Sequence, residues 1–226
     1  MTDFRPQSFS LLPPVVKNLL IINIILFLLT EVLRNNFGIN LVRFLGLYYP
    51  LSENFLPTQY FTYLFMHGSF WHLLFNMFAL WMFGYTLENA WGSKRFLFFF
   101  FFVGVGAGLI QNLVVAFEVW NFTQQGYSPV SVARYMNNAV VIGASGSVYG
   151  ILLAFGMMYP NMKVYVYFLF PVKVKYLVFF LGMLALFSGF GGGGTGIAHF
   201  AHLGGMLFAF ILIMYWRHQY RRNNFY

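Results

Sequence analysis

The chain is predicted to be an all-α membrane protein, a single domain over residues 1–226 with six spanning helices and both termini cytoplasmic. Three observations carry that expectation. Of its 226 residues 60% are hydrophobic and only 8% charged, whereas a soluble domain carries about a quarter charged residues. Six apolar stretches approach the roughly 20 residues that cross hydrocarbon as a helix. The basic residues collect between these stretches and at their ends.

The first stretch, 15–33, has the look of a signal sequence, but no small-residue cleavage site follows Leu29 before Thr30, Glu31 and Arg34, so it reads as a retained span. The others run over 68–87, 96–117, 140–159, 174–188 and 196–216, the fifth being the shortest. Cytoplasmic loops are enriched in Lys and Arg. With both termini inside, the inner side holds Arg5, Lys17, Lys94, Arg95, Lys163, Lys173, Lys175, Arg217, Arg221 and Arg222; the outer side holds Arg34, Arg43 and Arg134.

Three connections between the spans carry information. Residues 35–59 are too many for a turn and too apolar (Phe44, Leu45, Leu47, Tyr48, Tyr49) for a solvated linker, which predicts a segment partly in the outer interface. Residues 118–139 read as a polar, mobile outer loop. The run Ser188-Gly189-Phe190-Gly191-Gly192-Gly193-Gly194-Thr195-Gly196 has almost no side chains to fix its backbone and could serve as a lid or as a plain link.

Several function classes are excluded at this stage. There are no cysteines, so disulfides, thiolate metal sites and cysteine nucleophiles are ruled out. The net charge of +8 is not a nucleic-acid footprint, because no basic stripe with interleaved aromatics lies in a polar region.

In this orientation the second, fourth and sixth spans descend from the outer side, and each carries a polar residue near its start: His72, Ser145 and His202. At about 1.5 Å per residue they lie roughly 6, 8 and 9 Å below their helix starts. Gly143 and Gly146 flank Ser145 and let a helix or a substrate backbone approach its hydroxyl. A lone serine in a membrane helix more often bonds its own helix or glues two helices together, so the partner decides. His202 precedes Gly205 and Ala209, a small-xxx-small stripe that permits close helix contact. Packed on the fourth span, it could take the Ser145 proton as general base, with His199 one turn earlier as the alternative. Tyr149 shares the face of Ser145 and could pack on an imidazole. None of the five acids is expected at the depth of His202, which points to a dyad rather than a triad. His72 and Asn76, four apart on one face, could donate to a developing oxyanion together with the Ser145 amide.

The run Met66-His67-Gly68-Ser69-Phe70-Trp71-His72-Leu73-Leu74-Phe75-Asn76, then Gly84 and Glu88, then Gly143-Ala144-Ser145-Gly146 and Ala201-His202-Leu203-Gly204-Gly205 resembles the rhomboid intramembrane serine proteases in residue type and order. The resemblance spans about residues 15–216. It implies a six-helix rhomboid-like bundle with Ser145 as nucleophile, His202 as base, and His72, Asn76 and the Ser145 amide as oxyanion hole. It further implies that Tyr149 stacks on His202, that Glu88 is a structural acid, and that the fifth span with its glycine loop gates substrate entry. One departure is visible: many members carry a Trp-Arg pair in the first outer loop, where this chain has Thr58-Gln59.

The expected activity is serine endopeptidase cleavage of single-span membrane proteins near the extracytoplasmic face, with small residues at the cut site and helix-weakening residues beyond it. The bilayer and such substrates are the partners; no cofactor or metal is implied, and nothing in the sequence fixes an oligomeric state. The expected location is multi-pass in a bacterial inner membrane. Two rivals stand beside this reading. One is a metal or proton site built on His67, His72, His199 and His202. The other is a catalytically silent relative that escorts membrane proteins.

Overall fold

The computed structural model describes residues 10–166, 169–190 and 197–223, and six long helices occupy the six apolar stretches. They are α1 (Pro14–Phe37), α4 (Phe70–Trp91), α5 (Ser93–Gln124), α7 (Ser145–Met158), α8 (Val174–Phe190) and α9 (Ile197–Asn223). Short helices α2 (Val42–Leu45), α3 (Gln59–Thr62) and α6 (Pro129–Asn138) lie in the connections. Among the described residues three helices are long and apolar enough to cross a membrane, at Pro14–Phe37, Ser93–Gln124 and His199–Arg221, while α7 and α8 are shorter apolar helices. Large apolar side chains remain exposed around the bundle, among them Ile25 and Leu28 on α1 and Phe179, Phe180 and Phe187 on α8. An apolar rim of that extent fits contact with lipid. The glycine-rich run expected to act as a lid lies, from residue 191 to 196, outside the described residues.

Lipid tails are as apolar as leucine, so helices in a membrane are held by close packing and by hydrogen bonds rather than by hydrophobic burial. Both devices are present. The main packing is α9 on α5 and on α7, and small residues line that seam. A Cβ added to Gly205 of α9 would overlap the backbone of Gly146 on α7. One turn further along, Gly150 of α7 faces Ala209 of α9. The small-residue stripe read from the sequence therefore packs on α7, the helix of the fourth stretch.

Hydrogen bonds tie down the helix ends. Helix α1 starts with no acid in its first turn, which leaves its leading amides without partners of their own. Glu88, near the end of α4, supplies the acceptor: its carboxylate takes the Val15 amide at 2.9 Å, the Val16 amide at 2.8 Å and the Ser93 hydroxyl at 2.6 Å. One buried acid thus joins the start of α1, the end of α4 and the start of α5. A carboxylate at a helix N-terminus also meets the positive end of the helix dipole.

The long connection from α1 to α4 is ordered by the same means. Leu47 and Val141 form an isolated antiparallel bridge with both amide-to-carbonyl bonds at 2.9 Å. Gln59 is buried and anchors this connection. Its carbonyl accepts the Tyr48 amide at 3.3 Å, and its amide donates to the carbonyls of Asn54 at 2.9 Å and Phe44 at 3.3 Å. The Tyr63 hydroxyl donates to the Gly104 carbonyl on α5 at 2.6 Å.

Three expectations need correction. Residues 118–139 are not a mobile polar loop: α5 runs on to Gln124 and α6 fills most of the remainder. Pro129 opens α6 and the Ser128 hydroxyl accepts the Ser131 amide, a start signal of N-cap and first-turn proline. Helix α6 is bound to its surroundings by Tyr135 donating to Glu118, and Asn137 accepts from Ser52 and Glu53. The fourth span begins at Ser145 and not at 140, because the preceding chain is extended and bridged to Leu47. Between α7 and α8 lies an unforeseen antiparallel hairpin, β1 (Lys163–Val166) with β2 (Phe170–Lys173), Lys163 opposite Lys173. Its Val-Tyr-Val run is strand-favouring.

The Gln59 network gives a direct test. Gln59→Leu leaves the Tyr48 amide and two carbonyls without their partner, a cost of about 1–3 kcal/mol. The expected outcome is a lowered melting temperature in detergent with faster hydrogen exchange over residues 44–54. Wild-type melting and exchange would show that the loop is anchored elsewhere.

Candidate active site

Ser145 is the first residue of α7, so its amide has no intrahelical acceptor. What delivers it there is Gly143, whose φ of 120° lies where side chains other than hydrogen are strained. The Gly143 amide donates to the Tyr63 carbonyl at 2.9 Å. A Cβ at this position would also come within 2.8 Å of the His72 ring. The glycine before the serine therefore serves the turn and makes room for an imidazole.

His202 reaches the same point from α9. Its Nε2 is 2.8 Å from Ser145 Oγ. The ring stacks on Tyr149, centroids 4.2 Å apart and planes inclined by 4°. Tyr149 lies one turn beyond Ser145 on α7, so one helix carries both the hydroxyl and the surface against which the imidazole rests. The other ring nitrogen, Nδ1, is buried and has no hydrogen-bond partner among the described residues. No described carboxylate orients this ring: Glu31 pairs with Arg34 at 2.6 Å, Glu88 is engaged at the other end of α4, and Glu118 accepts from Tyr135. His199 sits edge-on to His202 with centroids 5.9 Å apart. The imidazole in contact with Ser145 is that of His202.

His72 is the third residue of α4, a helix whose N-cap Ser69 accepts the His72 amide at 3.2 Å. Its ring meets the buried His67 ring edge-on at 5.0 Å. Asn76 is buried one turn below and donates one amide hydrogen to the His72 carbonyl at 2.8 Å. The second hydrogen of that amide is not used by this bond.

These groups share one cavity of about 560 Å³ that is lined by His72, Asn76, Ser145, Tyr149 and His202. Its remaining wall is apolar and comes from Trp71, Phe75 and Phe78 of α4, Val148 and Leu152 of α7, and Leu177 and Leu181 of α8. A mostly apolar hollow with a few convergent polar groups is the usual form of a ligand site. Helix α8 packs on α9 and α7, and it faces α4 across the cavity that both helices line.

The eight residues expected to act in or support the dyad and the oxyanion hole lie at or beside this cavity. Ser145, His202, His72, Asn76 and Tyr149 line it, Gly143 and Gly146 flank the serine, and Gly205 sets the approach of α9. The four histidines of the metal reading do not form one cluster; among the described residues no three His, Asp or Glu side chains are placed to share an ion. Sequence reasoning missed the anchoring role of Gln59. Nothing local to Thr58-Gln59 signals it.

Comparison with known proteins identifies the family. The Rhomboid domain family model matches residues 56–219. The chain is 30% identical over 145 residues to Rhomboid protein 1, mitochondrial, of Saccharomyces cerevisiae, covering 63% of this chain and 37% of that protein. It is 26% identical over 156 residues to Rhomboid-like protein 15 of Arabidopsis thaliana, covering 61% of this chain and 37% of that one. Against Rhomboid-like protein 11, chloroplastic, of the same plant, it is 32% identical over 93 residues, covering 41% and 26%. The chain thus spans between about a quarter and little more than a third of the length of these curated relatives. Two of these names place the relative in an organelle, so the expected bacterial membrane draws no support from them. With a domain match over most of its length and apolar helices exposed on their outer faces, this integral membrane protein belongs to the rhomboid family.

Proposed function

We propose that the chain is an intramembrane serine endopeptidase that cuts single-span membrane proteins near the extracytoplasmic face through a Ser145–His202 dyad. The observation that carries this reading is the 2.8 Å contact between His202 Nε2 and Ser145 Oγ inside a cavity with hydrogen-bond donors. The excess of Lys and Arg on one side supports six spans with both termini cytoplasmic.

In the first half-reaction His202 Nε2 takes the hydroxyl proton as Ser145 Oγ attacks the scissile carbonyl carbon. The oxygen of that carbonyl becomes an oxyanion facing the Ser145 amide, with Asn76 Nδ2 and His72 as the side-chain donors. The imidazolium returns its proton to the departing amine, the peptide bond breaks, and an acyl ester remains on Ser145. In the second half-reaction a water gives its proton to His202 and attacks the ester. Collapse of the second intermediate releases the carboxylic acid and restores the serine. Without a carboxylate on Nδ1, the Tyr149 ring holds the imidazole in plane. A spanning substrate would enter between α4 and α8, where Trp71, Phe75, Leu177 and Leu181 offer it an apolar path.

Labelling by a fluorophosphonate probe in detergent reports an activated serine without needing the substrate. Wild-type protein is expected to label, and Ser145→Ala and His202→Ala to lose both labelling and cleavage of a single-span substrate while melting as the wild type does. Retained cleavage in Ser145→Ala would remove the assignment, and an active His202→Ala beside a dead His199→Ala would transfer the base to His199.

Asn76→Ala is expected to slow cleavage by about 10²-fold, the scale of one oxyanion donor. The loss should fall on kcat with KM little changed, because the contact strengthens only as charge develops. A change in KM alone would make Asn76 a binding residue.

A further inference from the structure

A second concavity lies at the opposite ends of α7 and α9 from the dyad. It has a volume of about 440 Å³ and is walled by the end of α4, the start of α5, the end of α7 and the last turns of α9. Arg217 is fifteen residues beyond His202 on the same helix, which places it about 22 Å further along the axis. Three guanidinium groups border the hollow, those of Arg95, Arg217 and Arg221. The only salt bridge among the described residues joins Arg34 to Glu31, so none of the three is paired with a described carboxylate.

The arginines stand on an ordered aromatic and apolar base. Arg95 lies over the Trp216 ring, 5.4 Å from its centroid, and Trp216 meets Trp91 edge-on at 5.4 Å. Arg217 donates to the Met157 carbonyl at the end of α7 at 3.1 Å, which fixes its direction and leaves further N–H groups unused. Met158 and Ile213 form the apolar side. Trp216, Arg217, Tyr220 and Arg221 fall on one face of α9. Tryptophans of this kind mark the level where a membrane protein meets the headgroups.

We propose that this hollow binds the phosphodiester of an anionic phospholipid, with the acyl chains running along Met158, Ile213 and the tryptophan pair. Arginine forks match phosphate oxygens, and basic pockets between spanning helices are where such headgroups bind. The apolar side distinguishes this ligand from a soluble phosphate, which would gain nothing from it. Because the site joins α4, α5, α7 and α9 at the end away from the dyad, an occupied site would brace the same helices that position Ser145 and His202. The binding claim itself does not rest on the dyad chemistry.

The test is native mass spectrometry of the full chain released from phosphatidylcholine vesicles containing a minor fraction of phosphatidylglycerol. Wild-type protein is expected to retain phosphatidylglycerol in preference to phosphatidylcholine. Removing one arginine should lower that retention about fivefold, so Arg95→Gln/Arg217→Gln/Arg221→Gln should abolish the preference. The control Lys163→Gln/Lys173→Gln/Lys175→Gln removes equal charge away from the hollow and should keep it. Arg221→Gln alone changes an exposed side chain and decides the question if the triple variant fails to fold. Equal loss in both triple variants, no loss in Arg221→Gln, or no preference in the wild type would overturn the proposal. Displacement of the lipid by inorganic phosphate would also overturn it, by making a soluble phosphate the ligand.

Discussion

The contact on which everything else depends is the near-touching of two backbones, α7 at Gly146 and α9 at Gly205. A side chain at Gly205 would occupy the Gly146 carbonyl, so the helices can meet at this distance only because hydrogen stands there. That approach lets a histidine three residues before Gly205 reach a serine one residue before Gly146. Dispersion between closely apposed small residues is what membrane helices have in place of a hydrophobic drive. Here the same packing sets the geometry of the proposed chemistry.

Around that seam, a few buried polar groups set the ends of elements whose middles are interchangeable grease. Glu88 fixes three helix termini at one end of the bundle. Gln59 and the Leu47–Val141 bridge fix the loop at the other, and Tyr63 links both α5 and Gly143 to that loop. Each of these groups is satisfied within the fold, which is what makes burying it tolerable. The extended segment before Ser145 is therefore held from the side by a loop and from the front by α7. The serine arrives at a helix start with its amide unspent.

Much of this was legible in the sequence because membrane spans announce themselves by length and hydropathy. All six apolar stretches correspond to helices, with ends displaced by a few residues. Ser145, His202, Tyr149, His72 and Asn76 were also legible, since small neighbours and four-residue spacings imply a face and a packing partner. What was not legible came from polar groups acting at a distance along the chain. Nothing local to Gln59 says that its amide will reach Phe44, Tyr48 and Asn54. Nor does the composition of 118–139 show that Tyr135 and Asn137 will tether a helix to Glu118 and Ser52. The late start of α7 was missed because Val140, Val141 and Ile142 are apolar and continue a hydropathic run, while the pairing of Val141 with Leu47 is a tertiary event.

That late start has a further consequence. At 14 residues, α7 is only about 21 Å long, well short of the roughly 30 Å of hydrocarbon in an ordinary bilayer. On the proposed six-span reading, a helix with such a mismatch thins the surrounding lipid. In the proposed protease that thinning would bring the aqueous phase towards Ser145, so the shortness of one helix would help to supply a hydrolytic reagent to a greasy interior.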